Sequence, residues 1–449
     1  MKYHLFLCLT LFVNILSAQT YADDSVFISR LFETALVKGK VYQDLSFMCK
    51  NIGHRLSGSV GAAKAVQYAA ELMRKYDFDT VHFQEMMVPV WQRGNAEQLI
   101  QKSNKTSYKV CALGGSVAGR GEAEVLEVFS INDLDKINPA EIKGKIVFFN
   151  RPMDPRIIHT FSAYGTCVDQ RVYGAVKAAQ YGAVAVVVRS MTLKLDDFPH
   201  TGMLVYADSI AKIPALAIST LGAENLSSSL KSNPGLKLYY EVNSKTFPDT
   251  VSHNVVGEMK GRSKTIIAVG GHLDSWDLGQ GAHDDGAGCM QAIEALRLLK
   301  VNQYQPNNTL RSVMFMNEEN GLRGGLMYAE RAKTETHLAA IEADRGAFAP
   351  RGFFADASTA QVEAMQGWLP LLEPYGIHVI KGGGAGADIG PLRKHNEKTV
   401  LIGFVPDSQR YFDFHHAETD TIQNVNQREV ELGAAALAAL IYLIDKYGL

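Results

Sequence analysis

Two histidines and a set of carboxylates, each placed at the end of an apolar run, carry the chemistry available to this sequence. His272 and Asp274 follow the β-branched run Thr265-Ile266-Ile267-Ala268-Val269. Ten residues further on, Asp284 and Asp285 precede a helix-like run over 289–299. Glu318 and Glu319 end the run 311–316, Asp344 follows 338–343, and His415-His416 lie in the loop after 399–405. Imidazoles and carboxylates with no thiolate beside them suit a hard-to-borderline divalent cation. Taken alone, Asp284 and Asp285 could be helix caps. Scattered surface acids, however, would not end one apolar run after another.

Two neighbouring cations repel each other and need an anion between them. Asp284 is the expected bridge. The spacing predicts one ion on His272, Asp284 and Asp344 and a second on Asp284, Glu319 and His416. Three protein ligands each leave an open position, the pattern of catalytic rather than structural zinc, with manganese or cobalt conceivable. Glu318, next to a ligand, is placed to act as general base. Asp274 is expected to accept the second ring N–H of His272 and fix its tautomer. Asp285 should cap the helix that follows it, and His283 or His415 could replace a neighbour as ligand.

These residues need a scaffold that brings separate strand ends to one edge. From residue 253 onward, strands over 265–269, 310–316, 338–343 and 399–405 alternate with helices over 289–299, 322–332, 359–374 and 427–446. That alternation predicts an α/β fold with a mostly parallel, doubly wound sheet, whose sites form beyond the carboxyl ends of its strands. Before it come helical patterns over 24–39 and 60–76, a loop over 52–59 in which His54 and Arg55 read as loop residues, and a strand over 81–90. The texture over 114–245 differs, with short strands (123–129, 145–149, 184–188, 215–218) and a helix over 173–180. It reads as an inserted β-rich module similar to protease-associated domains. The expected organisation is a signal peptide (1–18), an N-terminal part of the catalytic domain (19–113), the insertion (114–245) and the remaining catalytic domain (246–449).

The chain of 449 residues is long enough for two or three domains, and its formal charge of −2 gives no support for a nucleic-acid partner. A short basic start, the apolar run Leu5 to Leu16 and small residues at Ser17-Ala18 are laid out as a secretory signal cleaved near Ala18, too short to span a membrane. The mature chain is therefore expected to be secreted or periplasmic and not membrane-bound. Cys49, Cys111, Cys167 and Cys289 form no CxxC pair, and one disulfide is conceivable without being assignable.

His272-x-Asp274, Asp284-Asp285-Gly286-x-Gly288, Glu318-Glu319-x-Gly321, Asp344 and His416-x-x-x-Asp420-Thr421 resemble, in order, the motifs of the co-catalytic zinc exopeptidases. That family includes glutamate carboxypeptidases and bacterial leucyl aminopeptidases. Residues 270–277, Arg55-Leu56-Ser57-Gly58-Ser59 and Phe414-His415-His416 look most like its carboxypeptidase Q branch. The resemblance implies two zinc ions bridged by Asp284, the ligands and base already assigned, a protease-associated-like insertion and a homodimer. It also sets Gly382 to Asp388 near the substrate and makes Asp388 a substrate-contact candidate. The implied activity is hydrolysis of short peptides, foremost dipeptides with a free amino terminus. An aminopeptidase acting on longer peptides is the alternative. A binding protein without activity, or a glutaminyl cyclase, would fit the ligand census or the insertion less well.

Overall fold

The computed structural model describes residues 22–449, so the expected signal peptide lies outside the described residues. Two eight-stranded sheets organise the chain. The first runs in the order β1 (Thr80–Gln92), β10 (Lys245–Met259), β12 (Thr309–Phe315), β11 (Ile266–His272), β13 (His337–Glu342), β16 (Val400–Pro406), β14 (Pro350–Asp356) and β15 (Val379–Gly382). Its centre, β12-β11-β13-β16, is parallel, while β1, β10 and β14 pair antiparallel with a neighbour. The sheet is thus mixed around a parallel core. Strands β14 and β15 escaped the sequence because β15 is an exposed edge strand and β14, beside it, is short and interrupted by exposed Arg351 and Asp356, so neither leaves a continuous apolar run.

All of β11 is buried, as its unbroken apolar run requires of a strand covered on both faces. One face carries helices Ala287–Val301 and Gln427–Tyr447, which pack on each other and bury residues such as Leu296, Leu299 and Ile441 completely. Each such side chain contributes roughly 1.5–3 kcal/mol of burial. The other face carries helix Arg323–Arg331, with Tyr328 and Ala329 against Val313 and Phe315. The helix expected over 359–374 instead stops at Gln366 and restarts as the short turn Leu369–Leu372, because Pro370 supplies no N–H to continue the ladder.

The second sheet runs β3 (Thr106–Ser107), β2 (Gln98–Gln101), β9 (Lys237–Val242), β5 (Gly119–Val128), β6 (Ile146–Phe149), β7 (Ala185–Arg189), β8 (Ala215–Ile218) and β4 (Val110–Ala112). Strands β2 to β4 precede residue 114, where the sequence texture changes. They are short and partly polar, and join by edge pairing to β9 and β8. Two apolar clusters tie the sheets together. One sets Leu56, Trp91 and Trp276 among Leu216 and Leu238; the other packs Met153, Ala163 and Cys167 on Phe348, Tyr411 and Phe412. The four described cysteines are buried and unpaired, so the conceivable disulfide does not form. Among the described residues no helix is long and apolar enough to cross a membrane.

Candidate active site

At the carboxyl edge of the first sheet, β11 ends in His272, β12 runs into Asn317-Glu318-Glu319, β13 into Asp344, and the loop after β16 returns His415 and His416. Asp284 stands between His272 and His416. Its Oδ1 lies 3.1 Å from His272 Nε2 and its Oδ2 lies 3.3 Å from His416 Nε2. Asp344 Oδ1 is 3.6 Å from His272 Nε2, and Glu319 Oε2 is 3.0 Å from His416 Nε2. His272, Asp284, Glu319, Asp344 and His416 therefore converge, and Glu318 stands partly exposed beside them.

The tautomers decide what these short distances mean. His272 Nδ1 faces the carbonyl of Asp274 at 3.0 Å, and His416 Nδ1 faces the carbonyl of Thr201 at 3.2 Å, nearer than the Arg171 guanidinium at 3.4 Å. A neutral ring that donates from Nδ1 turns a lone pair at Nε2 toward the carboxylates. Two acceptors in that relation need a positive charge between them. Asp284 Oδ2 and Asp344 Oδ1 are, moreover, buried without a hydrogen-bond partner. Two ligands of a tetrahedral zinc ion stand roughly 3.3 Å apart, so the donor set and its spacing fit divalent cations. Against burial, Asp344 and Asp284 hold the His272 pKa well above the ordinary value, which expresses the same demand for positive charge at Nε2, met there by a proton or a cation. Burial and then His415 push His416 well below it.

Asp274 acts differently from the expectation. Its carboxylate is 3.8 Å from His272 Nδ1 and accepts backbone N–H bonds instead, from Asn317 at 2.8 Å, Glu318 at 3.0 Å and Glu319 at 3.3 Å. Its carbonyl, not its carboxylate, meets the ring, because β11 leaves the sheet there and frees that carbonyl. The carboxylate thus fixes the turn that presents Glu318, in which Asn317 takes a φ of 73°. Asp285 accepts from Gly288 N at 3.0 Å and from His272 N at 3.1 Å, so it caps the helix and ties it to β11. A Cβ on Gly271 would come within 2.1 Å of that carboxylate, which explains the glycine.

His283 is sandwiched between Phe348 and Phe414 and bonds Ala347 N and the carbonyl of Asn424, away from the centre. His415 stacks on His416 at 3.5 Å and keeps Nε2 3.7 Å from Asp284 Oδ2. Asp388, the substrate-contact candidate, is fully buried with neither carboxylate oxygen partnered. Glu342 accepts from Ala387 N and Ile389 N and anchors that glycine-rich loop.

Two groups that the sequence marked only as members of family motifs, with no role assigned, clamp the loop between His272 and Asp284. The guanidinium of Arg55 is fully buried and bonds the carbonyls of Leu273, Gln280 and Gly281 at 2.7, 2.6 and 2.8 Å. From the opposite side the carboxylate of Asp420 accepts from the N–H groups of Ala282, His283 and Asp284 at 3.1, 2.7 and 3.1 Å. A buried cation is expected to have an acidic partner; Arg55 instead reads carbonyls, which only the folded loop presents.

With this geometry in place, known proteins can be compared. A model of peptidase family M28 matches residues 254–441. Carboxypeptidase Q of Mus musculus is 32% identical over 431 residues, covering 94% of this chain and 89% of its own length. The chain belongs to peptidase family M28. It is therefore a member of a metallopeptidase family, as the centre's donor set requires. The crystal structure of a peptidase M28 precursor from Shewanella amazonensis superposes with a TM-score of 0.90 at 29% identity, covering 94% of this chain and 97% of that one. A zinc aminopeptidase of Bacillus subtilis shares the fold with a TM-score of 0.63 at 19% identity, over 90% and 94% of the two chains.

Proposed function

We propose that this M28 peptidase is an exported di-zinc exopeptidase that cleaves short peptides, foremost dipeptides with a free amino terminus. The observation that carries the reading is the Asp284 carboxylate, whose two oxygens face two different histidines across gaps suited to cations. His272, Asp284 and Asp344 would hold one zinc, and Asp284, Glu319 and His416 the other. When bound, such ions polarise a peptide carbonyl and make a water more acidic.

The chain's own residues supply the proton chemistry. Burial, and then the charges of Asp344, Asp274 and Asp284 against that of His272, push the Glu318 carboxyl up to about 8. Its carboxylate is thus a strong proton acceptor, set by Asp274 at the centre's open face. It takes the proton of the attacking water and returns it to the leaving amine. Arg55 and Asp420 keep the bridge in register, and the second-sheet unit covers the His416 side and limits the length of peptide admitted. Export rests on the N-terminal sequence, and a homodimer on the likeness to the carboxypeptidase Q branch.

An aminopeptidase for longer peptides is the second reading, favoured by the likeness to bacterial aminopeptidases. Mass-spectrometric product analysis of the zinc-loaded chain tests the two. The substrates are an unblocked dipeptide, its N-acetylated form and a version extended by one residue at its carboxyl end. Cleavage of the plain dipeptide alone is expected; equal trimming of the longer peptide from its amino end would replace the first reading with the second.

A further inference from the structure

Arg345 immediately follows Asp344 in the chain and, like Glu318, stands partly exposed. Among the described residues it forms no ion pair, unlike Arg93, Arg297 and Arg311, whose guanidinium groups meet carboxylates at 2.6–2.7 Å. Its one hydrogen bond is a long contact of 3.4 Å from Nη2 to the carbonyl of Gly384, in the exposed glycine-rich loop. What holds the side chain is a pair of aromatic rings. The guanidinium carbon lies 5.0 Å from the Phe161 ring centre and 5.3 Å from that of Phe354. Phe161 belongs to helix Thr160–Gly165, between β6 and β7 of the second-sheet unit, whereas Phe354 lies on β14 of the first sheet.

A planar cation steadied by ring faces keeps its donor fork free for a planar anion. Phe161 also stacks on Tyr411 at 5.1 Å, so the same aromatic wall continues toward the buried centre. Lys381, exposed and 4.3 Å from the Phe354 ring centre, adds positive charge to this mouth. The geometry points to Arg345 as the group that receives the terminal carboxylate of a dipeptide. This rests on the exopeptidase reading above and deepens it.

The chemistry matches in reach. In a dipeptide the carboxylate carbon lies three bonds, roughly 3–4 Å, past the scissile carbonyl carbon, and neighbouring Cα atoms are about 3.8 Å apart. A carbonyl set at the centre beside Asp344 therefore brings the carboxylate within the span of the adjacent arginine. An additional residue replaces that anion by a neutral amide, which forfeits the charge-assisted pair. Arg345 is thus a specificity residue: it favours substrates that end one residue past the scissile bond, and takes no part in proton transfer.

The test compares a dipeptide with the same dipeptide amidated at its carboxyl end, using zinc-loaded wild type, Arg345→Ala and Arg345→Lys. Wild type is expected to prefer the free acid. Arg345→Ala should raise KM for the acid about 10- to 100-fold, with little change in kcat and little change for the amide, so that the preference disappears. Arg345→Lys should recover part of it. Bound zinc, measured separately, should remain unchanged in both variants. A wild type that prefers the acid alongside an alanine variant that keeps the preference would overturn the role of Arg345 alone. A wild type that cleaves acid, amide and longer peptides equally well would overturn the dipeptide reading, and this inference with it.

Discussion

The two halves of the proposed metal centre are built by different parts of the chain. His272 and Asp344 leave adjacent parallel strands, and His272 Nδ1 finds its carbonyl two residues along its own chain. That half is internal to the first sheet. His416 sits in a loop with a φ of 62°, and its Nδ1 partner, the Thr201 carbonyl, comes from the second-sheet unit. Arg93 extends this dependence. It pairs with both oxygens of Asp277 at 2.9 and 2.7 Å, contacts Thr201 Oγ1 at 3.1 Å and bonds the carbonyl of Ala112. Next to Asp277, Trp276 N bonds Glu319 Oε1 at 3.2 Å. Both ligands of this half are thus set by contacts near the junction of the sheets. One proposed cation site is local and the other is assembled, so the second should be the more easily weakened.

Asp284, which the halves share, is the most damaging place to break this comparison. Asp284→Ala is predicted to empty at least one metal position and to abolish turnover. Metal analysis that still finds two zinc ions per chain would refute the bridge. Glu318→Gln should leave both halves loaded and lower kcat by about a hundredfold or more; zinc loss, or near-normal turnover, would remove Glu318 from the role of base. Arg93→Gln sharpens the contrast, because it loosens the assembled half only. One of two zinc-binding steps should weaken about 10- to 100-fold in chelator competition while the other holds. Equal weakening of both would mean that the halves are not separable.

The smallest expected effect is on pH dependence. His200, fully buried, bonds the carbonyl of His415 at 2.7 Å, and burial pushes its pKa down to about 4. A histidine depressed when folded and near 6.5 when unfolded gives its full contribution above pH 6.5 and loses it as pH falls toward 4. His200→Gln should therefore lose less melting temperature than wild type between pH 7 and pH 4.5. An identical loss would separate His200 from the acid sensitivity of this region.

The parallel core of the first sheet was legible because its strands are buried on both faces and so leave uninterrupted apolar runs. The converging histidines and carboxylates were legible because their types are rare in such places and because each follows one of those runs. Arg55 was marked only by its place in a family motif and its role was not legible, since a lone arginine in a glycine-punctuated loop has no periodicity and its partners are backbone carbonyls. Asp274 was legible as important and misread in contact, because the sequence does not tell whether a carbonyl or a carboxylate turns toward a ring. Asp388 was a candidate only through its family, and the sequence did not tell that its loop is anchored on Glu342 and that its side chain is buried.

By itself, then, the sequence determined which strands form the core and which side chains stand at their ends, because burial pattern and residue type are local properties of the chain. Membership of the M28 family follows from the same local text. Only the tertiary structure decided which oxygen of Asp284 faces which histidine, that Thr201 orients His416, and that Phe161 and Phe354 hold Arg345 between the two units. Those relations join residues far apart in the chain. Hydrogen bonds and ring contacts act over a few ångströms of space and are indifferent to the length of chain between the groups they join.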